Sequence, residues 1–244
     1  MKTASVLPLI ITVLLVGCVK EEQQQAKSGK LQGLHKYYFP DGSLYLEVNY
    51  KDSLPHGLTK RYFKSGLVLE EAEYREGIQH GITKTYHEDG KLSSVTPYDS
   101  GRIHGIKKKY RKDGSPAYEA PYHYGEPCVG LVELFLSGRP VDNYPTIIIT
   151  PKDDLLRSNM YTLEFGLSNK SKLVEYFQGQ LTDSKYIGRD AKEIYVSNGV
   201  GKLFYVIPPG GFEMAQLNII AKVKTDLGNY YITQVKYNLA IENR

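Results

Sequence analysis

The stretch from Gly33 to Val129 decides the fold, because it contains the same pattern four times. The copies read GLHKYYFPDGSLYLEVNYKDSLPH at 33–56, GLTKRYFKSGLVLEEAEYREGIQH at 57–80, GITKTYHEDGKLSSVTPYDSGRIH at 81–104 and GIKKKYRKDGSPAYEAPYHYGEPCV at 105–129. The starting glycines are Gly33, Gly57, Gly81, Gly105 and Gly130, spaced 24, 24, 24 and 25 residues apart. A fixed period of this length indicates an array of structural repeats.

Each unit carries the same frame when its first glycine is counted as position zero. Position one is aliphatic, position five is aromatic, position nine is glycine and position seventeen is tyrosine. The tyrosines of the frame are Tyr38, Tyr62, Tyr86 and Tyr110 at position five, and Tyr50, Tyr74, Tyr98 and Tyr122 at position seventeen. The Asp-Gly pair at positions eight and nine predicts a type I′ hairpin turn between two strands. Each unit therefore predicts one β-hairpin, followed by a second turn that leads to the next unit.

The turn at positions eight and nine also predicts the register, because facing residues must then have positions that sum to seventeen. Each starting glycine faces the tyrosine of position seventeen, and we expect that tyrosine to cover the glycine. Position three faces position fourteen, which gives the pairs Lys36–Glu47, Lys60–Glu71, Lys84–Val95 and Lys108–Glu119. Three of these four are pairs of opposite charge, each expected to contribute about 0.2–1 kcal/mol. The lysines are therefore interpreted as solvated cross-strand partners of glutamates.

The recurring G-x4-Y-x3-G-x7-Y frame resembles the MORN repeats (membrane occupation and recognition nexus). It is most similar to the bacterial variant found in proteins described as antitoxin components of toxin–antitoxin modules. The resemblance covers residues 31–139 and implies an elongated, single-layer antiparallel sheet with a partial fifth unit at Gly130. The end units depart from the frame, with Ser53 in place of a turn glycine and an insertion around Pro127–Cys128.

The N-terminus predicts export and a lipid anchor. Lys2 and the apolar run Val6–Val16 have the charge and length of a signal peptide, and the run is too short to span a bilayer. It ends in Leu-Val-Gly-Cys, which resembles the lipobox of bacterial lipoproteins and implies lipidation of Cys18. We therefore expect a signal peptide at 1–17, a lipidated cysteine with a polar flexible tether at 18–30, and attachment to the outer membrane. The Val19–Glu22 segment resembles a surface-export signal, so both periplasmic and surface locations stay open.

From 140 to 244 the period is lost and shorter strand-like runs follow. The predicted strands are Thr146–Thr150, Tyr161–Leu167, Leu173–Gln180, Glu193–Val196, Leu203–Ile207, Met214–Lys224 and Tyr230–Ile241. About seven short strands in a hundred residues predict a small immunoglobulin-like β-sandwich. The predicted fold class is all-β, with the single-layer hairpin array followed by this sandwich.

Composition and motifs argue against several classes of function. A net charge of +4 over 244 residues lacks the basic excess of a nucleic-acid-binding protein. The sequence has no nucleophile elbow, zinc-protease motif or phosphate-binding loop, so we expect no enzyme activity and no cofactor. Cys128 is interpreted as a packing residue, and Asp153–Asp154 as a solvated loop.

The repeated histidines His56, His80 and His104 invite a metal site. Equivalent atoms of successive hairpins lie about 9.5 Å apart in a sheet, whereas zinc binds its ligands at about 2.1 Å. We therefore expect no metal and predict that each histidine hydrogen-bonds its own turn. The basic run Lys107–Lys112 divides between the two faces of a strand, which leaves two smaller clusters.

These features predict a non-enzymatic, lipid-anchored envelope or surface protein whose repeats bind another protein. An antitoxin or immunity-like protein that neutralises a toxin is one alternative, and follows from the resemblance. A glycan-binding lipoprotein that uses exposed tyrosines such as Tyr37 and Tyr45 is the other.

Overall fold

The protein is described by a computed structural model that covers residues 20–21 and 29–244. Apart from one four-residue helix, every regular element of this part is a β-strand, so the predicted all-β class is confirmed. Its contacts divide the chain into two compact units, with residues 120–135 grouping with the C-terminal part. The leader and Cys18 lie outside the described residues. Within the described part, no helix has the length and hydropathy needed to cross a bilayer.

The repeats form antiparallel hairpins in one sheet, as predicted. In chain order the strands are β1 (Lys20–Glu21), β2 (Gly33–Tyr38), β3 (Leu44–Lys51), β4 (Leu54–Tyr62), β5 (Val68–Arg75), β6 (Ile78–Gln79), β7 (Gly81–Tyr86), β8 (Leu92–Asp99), β9 (Arg102–Ile103), β10 (Gly105–Tyr110), β11 (Pro116–His123), β12 (Glu126–Pro127) and β13 (Val132–Glu133). The sheet order is β1-β2-β3-β4-β5-β7-β8-β10-β11-β12, with β6, β9 and β13 on short side pairings. Neighbours along the chain are thus neighbours in the sheet.

The turn at positions eight and nine is not the predicted type I′ turn. In the first unit Phe39 and Ser43 close a three-residue loop, because the Phe39 N–H donates to the Ser43 carbonyl at 2.8 Å. The Gly42 N–H donates to the Phe39 carbonyl at 2.9 Å. Within this loop only Gly42 has positive φ (88°), as expected for a type I turn followed by a G1 bulge. The Asp41 carboxylate accepts the Ser43 N–H at 2.9 Å, which fixes this loop.

The predicted register is nevertheless confirmed over most of each hairpin, because a second irregularity offsets the first. The three-residue loop shifts the pairing by one residue, and a bulge at position twelve shifts it back, so that Tyr38 faces Leu44 while Tyr37 faces Leu46. The remaining pairs then sum to seventeen, including Gly33–Tyr50 and Lys36–Glu47. The next two hairpins repeat this arrangement.

The type I′ turns lie instead at the second turn of each unit. Asp52 and Ser53 both have positive φ (52° and 66°) between the paired residues Lys51 and Leu54. Equivalent turns occur at Glu76–Gly77, Ser100–Gly101 and Tyr124–Gly125. Strand β4 then bulges at its His-Gly pair. The pairing of β3 with β4 changes register at this point, between Val48 and Tyr50 of β3. This bulge brings each hairpin into the same phase as the preceding one.

The C-terminal domain is a two-sheet sandwich. Its elements are β14 (Ile147–Asp154), α1 (Leu155–Ser158), β15 (Met160–Leu167), β16 (Val174–Gln178), β17 (Lys192–Ile194), β18 (Val196–Ser197), β19 (Val200–Val206), β20 (Phe212–Lys224) and β21 (Tyr230–Glu242). One sheet has the order β14-β15-β19-β18 and the other β17-β16-β20-β21. These orders correspond to the A-B-E-D and C′-C-F-G sheets of immunoglobulin domains, which confirms the predicted architecture.

Alternating side chains from both sheets build the core of the sandwich. Phe165 of β15, Tyr176 of β16 and Ile219 of β20 are completely buried. One predicted strand was wrong in detail, since Glu193–Val196 divides into β17 and β18, which belong to different sheets. The chain passes from one sheet to the other within a few residues, so the sequence shows no break between the two strands.

Candidate interaction surface of the repeat array

One face of the array carries a polar ladder that crosses from hairpin to hairpin. In the first unit the Lys36 ammonium lies 3.1 Å from the Glu47 carboxylate, as the register predicts. The hydroxyl of Tyr62, from the next unit, donates to the same carboxylate at 2.7 Å. Glu47 therefore binds one partner within its own hairpin and one from its neighbour. We call the side that bears positions one, three, five and fourteen the ladder face.

The ladder continues along the array with one interruption. Glu71 lies 3.1 Å from Lys60 and accepts a hydrogen bond from the Tyr86 hydroxyl at 2.8 Å. In the third unit Val95 faces Lys84 and Lys108, so no carboxylate is present at that step. The ladder resumes where Lys108 lies 2.9 Å from Glu119. The prediction that glutamates face three of the four lysines is confirmed.

The ladder stabilises the charged form of its glutamates. Partial burial raises the pKa of Glu47, but the hydrogen bond from Tyr62 and the charge of Lys36 outweigh it, so that the pKa falls below 4.5. The Tyr86 hydrogen bond and the Lys60 charge lower the pKa of Glu71. Burial and the Glu47 carboxylate raise the pKa of Tyr62 to about 12, so its hydroxyl stays a proton donor at neutral pH.

Glu71→Gln is expected to lower the free energy of unfolding by about 1 kcal/mol at pH 7, because a charge-assisted contact is lost. A carboxyl whose folded-state pKa is lowered stabilises the fold above its unfolded pKa near 4.5 and loses that effect as the pH falls through the folded-state value. The difference between variant and parent should therefore disappear in acid. Urea unfolding at pH 7 and pH 3 measures it, and an unchanged difference would contradict the role of the charge.

An exposed aliphatic row runs beside the polar ladder. The position-one residues Leu34, Leu58, Ile82 and Ile106 are each 40–49% exposed. They lie on the ladder face because residues two apart on a strand point to the same side. The face therefore combines a regular charged and hydroxylated ladder with one exposed aliphatic side chain per hairpin.

The glycines of the frame are required by the backbone. Gly33, Gly57 and Gly81 face Tyr50, Tyr74 and Tyr98 as predicted, but they also have positive φ (75°, 85° and 69°). Only open space surrounds a Cβ placed on Gly33 or Gly57, whereas one on Gly81 would meet the Glu73 carboxylate. The left-handed conformation at the bulge thus explains the glycines, and the expected tyrosine cover is not what requires them.

Gly57→Ala is expected to destabilise the protein by about 1–2 kcal/mol, because an L-residue is strained at this φ even where space is available. Thermal unfolding monitored by circular dichroism measures the loss. Gly166→Ala provides the control, since Gly166 lacks positive φ and also has open space around its Cβ. Equal losses in the two variants would show that the conformation is not the cause.

His56 and His80 contact the following unit instead of their own turns, so the prediction is corrected for these two residues. The Glu76 N–H points to His56 Nδ1 at 3.5 Å, and His80 Nδ1 lies 3.7 Å from the Asp99 carboxylate. The His-Gly bulge turns these two rings toward the next type I′ turn, which explains the difference. Among the residues that the structure describes, no three histidine, cysteine or acidic side chains are placed to hold a metal ion.

The basic run divides between the two faces, as expected. Lys108 pairs with Glu119 on the ladder face, while Lys109 lies on the other face and donates to the Ser93 hydroxyl at 2.8 Å. Lys107, on the same face as Lys109, is half-buried, and its burial together with the Lys109 charge lowers its pKa. The run therefore forms no continuous basic patch.

Other residues singled out in the sequence have structural roles. Cys128 is buried, and burial raises the pKa of its thiol, which agrees with a packing residue. Asp153 and Asp154 lie at the end of β14, where their carboxylates accept hydrogen bonds from the Leu155 N–H and the Ser158 hydroxyl around α1. Both residues are exposed, as the interpretation of a solvated pair expects, but they end a strand and do not lie in a loop.

The two tyrosines considered for glycan binding are engaged with other aromatic residues. The Tyr45 ring lies edge-on to Phe39 at a centroid distance of 4.9 Å. The Tyr37 and Tyr50 hydroxyls are 3.4 Å apart.

A comparison with known families finds a match for two of the repeats. The model of the MORN repeat variant matches residues 28–52 and 79–100, which correspond to the first and third units. The comparison with curated proteins gives no match. The array is thus similar in sequence to MORN variant repeats at two positions, and its hairpin geometry extends the same unit across the intervening segment.

Proposed function

We propose that the chain is a non-enzymatic, lipid-anchored envelope protein whose repeat array binds another protein through the ladder face. The observation that supports this most directly is the exposed aliphatic row beside the Lys–Glu–Tyr ladder. The fold does not require these aliphatic side chains to be exposed, and a regular row of them offers apolar contact area with a fixed spacing. The lipobox resemblance supplies the membrane attachment through Cys18.

The ladder has a defined part in this proposal. Its carboxylates are already bound by lysine and tyrosine, so the polar groups beside each aliphatic residue are held in place before a partner arrives. Groups that are ordered in advance reduce the conformational cost of binding. A partner with apolar residues spaced to match successive hairpins would therefore bind without rearranging the array.

Two glutamates introduced into the aliphatic row test the docking surface. Envelope proteins are captured with the parent chain and with the double variant Leu58→Glu/Ile82→Glu. We expect a partner retained by the parent to be lost from the double variant, because two charges would be buried in the contact. Leu156→Glu, on a 93% exposed side chain in α1, is the matched control and should retain the partner. Equal recovery with the double variant would contradict binding through the ladder face.

A further inference from the structure

One side of β20, one of the two longest strands of the sandwich, is open over about half of its length. Strand β16 pairs with β20 only from Ile219 to Val223, and the last bond beyond these pairs is the Gly179 N–H to the Asn218 carbonyl. Main-chain groups alternate in direction along an antiparallel strand, so the even-numbered residues of β20 point to the β16 side. The Lys224 N–H, which donates to Leu173, agrees with this direction.

The main-chain groups of Met214 and Gln216 therefore point to a side where β16 has ended. Among the described residues, none forms a hydrogen bond to them there, and β21 bonds the odd-numbered residues on the other side. An unpaired strand edge of this kind is a template for an added strand. Because its donors and acceptors have the spacing of a β-ladder, their matching partner is another extended polypeptide.

The side chains along this edge are apolar and exposed. Phe212 and Met214 are each 74% exposed on the outer surface of the sheet. Together with Ala240 and Glu242 of β21 they line a shallow cavity of about 390 Å³. A row of large apolar side chains next to open main-chain groups provides both parts of a strand-addition site, since the main chain gives affinity and the pocket accepts an alternate side chain.

The free edge of β21 differs in its charges. Its outward-facing residues include Lys236 and Glu242, and charged side chains on edge strands prevent pairing with other chains. The outer side chains of Phe212, Met214 and Gln216 on β20 carry no charge. The two edges of one sheet therefore differ in the feature that natural proteins use to block association.

We infer that Phe212–Gln216 of β20 pairs antiparallel with the same segment of a second copy of this chain. The two-fold axis passes at Met214, so that Met214 faces Met214 of the second copy and Phe212 faces Gln216. Any register that places Phe212 opposite Asn218 is excluded, because Gly179 already occupies that position. The contact is isologous and closes after two copies.

The side chains of the segment suit a second copy as the occupant, because its apolar residues meet and no like charges face each other. The only charged residue of the segment, Glu213, faces Ala215 across the axis and does not face its own equivalent. Phe212 contacts Met214 of the other copy along the diagonal, which covers both exposed side chains on both copies. The inference goes beyond the proposed function and does not depend on membrane anchoring or on the ladder face.

Disulfide trapping and mass measurement test this arrangement on the full chain in detergent. The parent carries Cys18→Ser and Cys128→Ser, which removes both native thiols. Directly facing residues of a hydrogen-bonded pair have Cα atoms about 5.5 Å apart, within the range of a disulfide. After mild oxidation, most of the Met214→Cys protein in this parent should therefore be a covalent dimer. Leu156→Cys, at a 93% exposed position, is the control and should stay largely monomeric.

Sedimentation of the cysteine-free parent provides the second measurement. We expect the mass to approach twice that of the chain as concentration rises, and Met214→Lys to abolish this because two lysines would face each other on the axis. Leu156→Lys should dimerise like the parent. A parent that stays monomeric at all concentrations overturns the inference. So does Met214→Cys that cross-links no better than Leu156→Cys, or a dimer that survives Met214→Lys.

Discussion

Replacing Cys18 with serine is expected to abolish lipidation and, with it, the stable attachment of the mature protein to the outer membrane. Serine cannot carry the thioether-linked lipid, and each acyl methylene that leaves the bilayer removes about 0.8 kcal/mol of membrane binding. Several acyl chains therefore amount to a loss of nearly all stable attachment. Fractionation of cells by ultracentrifugation, followed by immunoblotting, measures the distribution.

The size of the product separates this proposal from ordinary secretion. Lipoprotein processing requires the cysteine, so Cys18→Ser should also accumulate the uncleaved precursor. Cys128→Ser is the matched control, because Cys128 is buried and should leave membrane attachment unchanged. If Cys18→Ser matures and fractionates like the parent, the lipid anchor is wrong, while the repeat surface would stand unaffected.

The sequence predicted the array well because its period is local and is repeated. Four copies of one frame fix the strand order and the facing residues within each hairpin, and these predictions were confirmed. The predicted turn type is wrong because the Asp-Gly pair forms the last two residues of a three-residue loop and not the two central residues of a type I′ turn. The aspartate itself was the missed signal, since the carboxylates of Asp41 and Asp89 each accept the main-chain N–H two residues later and so fix the loop.

The contacts between hairpins could not be predicted in the same way. The Tyr62–Glu47 bond depends on the phase of neighbouring hairpins, which the His-Gly bulge sets. A register derived within one hairpin contains no information about that bulge. The candidate surface was therefore predicted as isolated Lys–Glu pairs, whereas the structure joins them into a ladder.

The sandwich shows the same division between local and distant information. Alternation of apolar residues located most of its strands, because burial on one face leaves a period of two in the sequence. Which sheet each strand joins is decided by partners far away along the chain. Strands β17 and β18 are the clearest example, because they follow each other along the chain and join different sheets.

Glu133→Ala is expected to destabilise the C-terminal unit by about 3 kcal/mol. The Glu133 carboxylate is buried and accepts hydrogen bonds from the Thr225 hydroxyl at 2.6 Å and the Asn229 amide at 2.7 Å. Both donors lie in the loop between β20 and β21, and buried donors without a partner each cost about 1–3 kcal/mol. Alanine removes the acceptor for both of them, so the loop that joins the two longest strands loses its main polar contact.

Two further variants distinguish this network from a general effect of mutation. Glu133→Gln keeps a side-chain oxygen of similar position, so it should lose only the charge-assisted part, about 1 kcal/mol. Glu193→Ala, on an exposed side chain of β17, should change the free energy of unfolding by less than about 0.5 kcal/mol. Urea unfolding at pH 7 orders the three variants. If Glu133→Ala is no worse than Glu193→Ala, the buried carboxylate does not hold the loop, and β20 and β21 are stabilised by their ladder alone.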